Sequence, residues 1–306
     1  MLPNIFTRYF ELEPKYRRIY MIETQKTITF KTAKDITIVA NAFGNPTDTP
    51  VLLLHGGGQT RHSWKKTGER IADQGWYVIA PDARGHGDSS WSSQLHYSFT
   101  YIAQDLQHII NSLDQKPVLI GASMGGLTSM MVLAQQPTIA KALILVDVSP
   151  KLEKKGVDRI FKFMAANPEG YESIEAVQTA IASYLPHRKN RGSATGLRKS
   201  LRRLPNGNYG WHWDPKILEV WQSLSSHRDP SEFDGLFNEV LKKLTIPSLL
   251  VRGGISDVVS KETVKELLAM APHLKYVNIK DAGHMIAGDS NDIFTNALLR
   301  FLKQIR

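Results

Sequence analysis

An α/β fold is predicted for this chain: a mostly parallel, eight-stranded sheet flanked by helices, carrying a helical insertion. Three observations predict it. Apolar runs of strand length alternate with helix-length segments, the pattern of a largely parallel sheet covered on both faces. The run Val118-Leu119-Ile120 ends in Gly121-Ala122-Ser123-Met124-Gly125-Gly126 and feeds a helix-like segment. The alternation then breaks over about 151 to 240 and resumes after Pro247.

The elements follow in order. Thr27 to Lys31 and Asp35 to Asn41 read as an antiparallel pair, and Val51 to Leu54 as a buried strand. Residues 61 to 74 read as a helix, and Trp76 to Ala80 as a strand stopped by Pro81-Asp82. Residues 98 to 114 place Ile102, Leu106, Ile109 and Ile110 on one stripe, which is helical spacing. Residues 117 to 120 form the strand before the serine, 123 to 136 the helix after it, and Ala142 to Val146 a strand ending at Asp147. Beyond the interruption come a strand over Ser248 to Arg252, a helix over 261 to 271, a strand over Tyr276 to Ile279 and a helix over 289 to 304. The expected organisation is therefore a core of residues 1–150 and 241–306 with a helical cap, or lid, over 151–240. No flexible linker or internal repeat divides the chain.

Composition narrows the class. Hydrophobic residues make up 42% of the 306 positions and charged residues 22%, ordinary values for a soluble globular chain long enough for one large domain with an insertion. With no cysteine there is no disulfide, thiol nucleophile or zinc–thiolate site, and a reducing compartment is compatible. The first residues lack the layout of a signal peptide. No apolar run approaches the ~20 residues of a membrane helix. The expectation is a cytoplasmic protein with no membrane partner. The net charge of +9 is either an attraction to polyanions or a solvated basic surface. No nucleic-acid-binding motif accompanies it, so no nucleic-acid partner is expected.

Gly-x-Ser-x-Gly between a strand and a helix can hold a serine at the tip of a tight turn, with Oγ presented to a substrate. Gly121, Ala122, Gly125 and Gly126 are all small, as a strained turn under a close helix needs. A serine hydroxyl needs a base, usually a histidine held by a carboxylate. His284, in Asp281-Ala282-Gly283-His284-Met285, follows the last predicted strand at the loop end where such sheets build their sites. Asp257, off the strand through Gly253-Gly254, is the preferred carboxylate; it could instead cap the next helix, and Asp147 is its rival. An oxyanion needs two preorganised N–H donors. Met124 N–H is the first. The loop His55-Gly56-Gly57-Gly58-Gln59 offers the second, with Gly57 ahead of Gly58. A phosphate-cradling role for that loop is disfavoured, because no Lys-Ser/Thr follows it.

The order Ser123, Asp257, His284, with His55-Gly56-Gly57-Gly58 upstream, resembles the α/β-hydrolase superfamily, in its serine-nucleophile esterase and haloperoxidase-like branch. Asp82-Ala83-Arg84-Gly85-His86-Gly87-Asp88-Ser89 is similar to a loop the superfamily often carries, which is mostly structural. The likeness covers about 25 to 150 and 245 to 306; the insertion matches in position alone. A serine rather than an aspartate nucleophile argues against epoxide hydrolases and haloalkane dehalogenases. The resemblance implies a carboxylesterase-like enzyme without cofactor or metal, acting on a small ester or acyl compound. Lactonases, cofactor-free perhydrolases and carbon–carbon bond hydrolases share the triad, and some relatives are non-catalytic receptors. For the carbon–carbon hydrolases, Arg61 and the cap tryptophans match incompletely.

The insertion holds two unusual clusters. His187, Arg188, Lys189, Arg191, Arg198, Lys199, Arg202 and Arg203 come without an acid among them, and either meet an anionic substrate or form a solvated face. Trp211-His212-Trp213-Asp214-Pro215 either lines an apolar pocket or packs cap on core. Gly58, Trp211, Trp213 and Met285 are the expected pocket residues. Phe161, Phe163 and Met164 fall at helical spacing, as cap core or pocket wall.

Overall fold

Eight strands form one mostly parallel sheet, as predicted. The computed structural model describes residues 25–186, 194–227, 230–284 and 292–306. β1 (Lys26–Ala33), β2 (Ile36–Phe43) and β4 (Tyr77–Pro81) pair antiparallel. β3 (Pro50–Leu54), β5 (Val118–Ala122), β6 (Ala142–Val146), β9 (Ser248–Gly253) and β10 (Lys275–Ile279) continue in parallel, with β3 also parallel to β4.

The central strands are buried on both faces, which is why they read as unbroken apolar runs. Successive side chains point to opposite faces. Leu52, Leu119, Leu143, Leu145 and Leu250 enter one core, against α2 (Phe99–Asn111), α3 (Met124–Gln135) and α9 (Lys261–Met270). Val51, Leu53, Ile120, Ile144 and Val251 enter the other, against α1 (Lys65–Ala72) and α10 (Asp292–Gln304). The helix predicted over 61 to 74 begins as a single 3-10 turn, Arg61–Trp64.

Between β6 and β9 lie α4 (Lys154–Ala165), α5 (Ile174–Tyr184), α6 (Ala194–Arg198), a hairpin of β7 (Leu201–Arg203) and β8 (Tyr209–Trp211), α7 (Lys216–His227) and α8 (Pro230–Lys243). The expected boundary at 240 divides α8 from its own function in the fold. Phe237, Val240, Leu241 and Leu244 bury in the same core as α3, so α8 is the covering helix of the β6–β9 crossover. Of the elements from α4 to α7, α4 reaches that core through Ile160.

That segment is joined to the sheet at several points. Gly87 N–H donates to His212 O (2.7 Å), Asp214 N–H to Gly85 O (2.8 Å) and Glu153 N–H to Val258 O (2.9 Å). Tyr97 Oη donates to Asp214 Oδ2 at 2.5 Å. No described helix is long and apolar enough to cross a membrane.

Candidate active site

Ser123 stands between β5 and α3 with φ +46° and ψ −115°. A left-handed φ on a non-glycine residue costs on the order of 1–3 kcal/mol and persists only where its surroundings enforce it. Here its N–H donates to Val146 O (3.1 Å), and its carbonyl accepts from the N–H groups of Gly126 (2.9 Å) and Leu127 (3.0 Å). The glycines answer to contact. A Cβ on Gly121 would overlap the Gly125 carbonyl, and one on Gly125 the Leu54 carbonyl. β3, β5 and α3 therefore meet backbone to backbone beneath the serine. A cavity of about 30 Å³ beneath the turn, lined in part by Leu54, His55, Met124 and Thr128, has room for about one water and none for a substrate.

His284 joins Asp147, not Asp257. His284 Nδ1 lies 2.7 Å from Asp147 Oδ2, and the side chains are 5% and 0% exposed. Asp147 has φ +48°, which turns its side chain off the end of β6. Its Oδ1 accepts from Gly253 N–H (2.8 Å) and its Oδ2 from Ser256 Oγ (2.5 Å). Asp257, the preferred carboxylate from sequence, is 36% exposed and ion-paired with Arg159 of α4 at 2.8 Å. The turn after β9 points Ser256 at the buried carboxylate and carries Asp257 outward, so it is the rival that reaches the histidine. Asp257 does not cap α9 either; Ser260 Oγ accepts from Thr263 N–H there.

The Gly56–Gly58 loop lies beside the serine: a Cβ on Gly56 would sit 3.4 Å from Ser123 Cβ. Gly56 N–H donates to Gln59 Oε1 (3.0 Å) and Gly58 N–H to His86 Nε2 (3.2 Å). Of the two donors weighed from sequence, Gly58 is thus engaged. The N–H groups of Gly57 and Met124 have no acceptor among the described residues.

The 82–89 loop is the platform for this arrangement. A backbone N–H only donates, so His86 Nε2 must carry the lone pair and Nδ1 the proton, which goes to Arg84 O (3.1 Å). By the same reasoning His55 Nε2 accepts from Ala83 N–H (2.9 Å) and Nδ1 donates to Gly56 O (2.8 Å). Both imidazoles are neutral. Burial, helped by neighbouring His55, pushes His86 down to about 3, and burial lowers His55. Arg61 is spent here: it ion-pairs with Asp82 and with Asp88 (2.6 Å) and donates to Asn41 Oδ1 (3.0 Å). It is structural, and sequence reasoning left the reach of this buried network unseen.

Trp211 and Trp213 share one apolar cluster with Met164 and Trp221. Trp213 is buried with Met164 and Leu218 and bridges to His86. Trp211 packs on Phe163 and Tyr171 within the insertion. Met285 lies outside the described residues, as do His187, Arg188, Lys189 and Arg191. Trp221 and Met164 approach the glycine loop: a Cβ on Gly57 would meet the Trp221 ring at 3.2 Å, and one on Gly58 would meet Met164 Cε at 3.1 Å. Trp221 had no sequence signal of its own beyond being a tryptophan on a helix of the insertion. Of the basic block, Arg202 lies over the Trp91 ring (4.2 Å) and Arg203 over Tyr209 (3.8 Å). Among the described residues no group of three or more His, Asp or Glu side chains converges to hold a metal ion.

Comparison with known proteins identifies the family. The family described as alpha/beta hydrolase fold matches residues 49–290. The chain is 30% identical over 246 residues to esterase Rv0045c of Mycobacterium tuberculosis, covering 78% of each chain. It is 28% identical over 296 residues to the sn-1-specific diacylglycerol lipase ABHD11 of Danio rerio, covering 90% of this chain and 85% of that one. An alpha/beta hydrolase structure from Novosphingobium aromaticivorans is similar with a TM-score of 0.79 at 23% identity, over 92% of this chain and 99% of the other. With the serine turn, the eight-stranded sheet and this match over most of its length, the chain belongs to the alpha/beta hydrolase fold family and is an enzyme of that fold.

Proposed function

We propose that the enzyme is a serine hydrolase of small carboxylic esters or related acyl compounds, working through an acyl-enzyme. Ser123 Oγ attacks the carbonyl carbon. His284 Nε2 takes the serine proton and returns it to the leaving alcohol. Asp147 keeps the other ring nitrogen protonated and stabilises the imidazolium. The N–H groups of Met124 and Gly57 hold the oxyanion. Water, activated by the same imidazole, then attacks the acyl-enzyme and releases the acid. No cofactor takes part. The segment from α4 to α7 is the cap, and the substrate lies between it and the serine.

The observation that carries this reading is the buried, 2.7 Å contact of Asp147 with His284 at the same carboxyl end of the sheet as a serine forced into a left-handed turn. Esterases and lipases among the relatives favour the ester substrate. Arg202 and Arg203, both stacked on aromatic rings, favour a solvated basic face over an anion-binding one.

Ser123→Ala tests it. A fluorophosphonate probe should label the native enzyme and not the variant. Hydrolysis of p-nitrophenyl acetate should fall to the level left by oxyanion and binding effects, with the melting transition kept. Equal labelling of both proteins would end the proposal.

A further inference from the structure

We infer that Trp221, from the insertion, is the specificity-determining wall of the acyl pocket and restricts the enzyme to short acyl groups; the inference rests on the serine-hydrolase reading. Three facts carry it. First, the indole lies against Gly57, the residue that carries the proposed oxyanion donor. Its Cζ3 and Cη2 atoms lie 3.2 Å from where a Cβ of Gly57 would be, so a substrate carbonyl bound at that N–H has the ring beside it.

Second, the ring is fixed. Its Nε1–H donates to Tyr97 O (2.8 Å), its face stacks on Phe99 (5.9 Å, 8°) and Phe161 meets it edge-on (6.3 Å, 76°). A side chain held on three sides cannot swing away for a long chain without losing a partly buried hydrogen bond. Third, the sheet order sorts the two halves of the substrate. The glycine loop follows β3, while Asp147 follows β6 and holds His284, which comes after β10, so the loop and the pair lie on opposite sides of β5 and Ser123. The leaving alcohol must stay within reach of His284 to receive its proton. The group facing the β3 side, and so Trp221, is the acyl chain.

The test compares kcat/KM for p-nitrophenyl acetate, butyrate and octanoate, and for ethyl, butyl and octyl acetate, in the native enzyme, Trp221→Ala and Trp221→Leu. The octanoate-to-acetate ratio should rise roughly tenfold or more in Trp221→Ala, and less in Trp221→Leu, since a few methylenes in an apolar pocket are worth that much discrimination. The alcohol series should keep its ratios in both variants. If the alanine variant does not fold, the leucine variant, which keeps apolar packing, carries the test. An unchanged acyl profile in a folded variant overturns the inference, as does a shift confined to the alcohol series. Fluorophosphonate labelling of the native enzyme separates the failures. Labelling with a flat acyl profile removes the wall alone, while no labelling and no ester turnover removes the serine-hydrolase reading and the wall with it.

Discussion

Asp147→Asn should be the most damaging single-atom change near the site that leaves the fold standing. The native carboxylate accepts three hydrogen bonds: from Gly253 N–H at Oδ1, and from Ser256 Oγ and His284 Nδ1 at Oδ2. An asparagine must place its oxygen and its NH₂ among these positions. The Gly253 N–H cannot become an acceptor, so the amide oxygen stays toward it and the NH₂ faces Ser256 and His284. Ser256 adapts by rotating its hydroxyl. His284 adapts only by moving its proton from Nδ1 to Nε2, which leaves the nitrogen meant for Ser123 unable to take a proton. The equivalent change in a well-studied serine protease lowers kcat by about 10⁴ with geometry intact. That corresponds to about 5.5 kcal/mol in the barrier. Asp257→Asn breaks a half-exposed pair with Arg159 worth about 0–1 kcal/mol and should change turnover only a few-fold. The assay is steady-state ester hydrolysis on both variants, with thermal melts to verify folding. If folded Asp147→Asn keeps turnover within tenfold of native, or Asp257→Asn loses more than it does, the assignment of the carboxylate is refuted.

Two further outcomes follow from the same geometry. Gly125→Ala should lower stability by about 1–3 kcal/mol, because its Cβ would overlap the Leu54 carbonyl and neither backbone can yield; a urea midpoint equal to native would contradict the close packing of β3 on α3. His86 is held neutral down to about 3 against an ordinary 6.5, so between those values the unfolded chain binds a proton that the folded one refuses. Its contribution is fully present above pH 6.5 and is lost as pH falls toward 3, at up to about 1.4 kcal/mol per pH unit. His86→Gln, which can still accept from Gly58 N–H, should flatten the urea-midpoint profile below pH 6.5 by about that slope; identical profiles would contradict the neutral buried imidazole.

The parts that depend on neighbours in the chain were legible from the amino acids. Val118 to Ser123 had to be a strand into a turn, because the apolar run, the small residues and the following helix-length stretch are all local. The same holds for His284 after the last strand and for the glycines after Leu54. Trp211 and Trp213 showed as an aromatic cluster, but aromatic residues look alike in sequence whether they pack or line a pocket, and only the fold shows that they join Met164 and Trp221 in one apolar cluster. The edge of the insertion misled for a related reason. α8 has the amphipathic pattern of any helix, and nothing in that pattern says which core its apolar side faces.

The amino-acid order alone settled the fold class, the eight strands and the serine turn, since each follows from periodicity or from glycines spaced a few residues apart. The tertiary structure alone decided which carboxylate meets His284, that Gly58 N–H is taken by His86, and that Trp221 lies over Gly57. Two aspartates each end a segment beside a strand, and local sequence, with Gly253-Gly254 ahead of it, favours Asp257, the one that does not reach His284. The choice between them depends on the order of β6 and β9 in the sheet and on a turn that buries Ser256 while turning Asp257 outward, and those are relations between segments about a hundred residues apart.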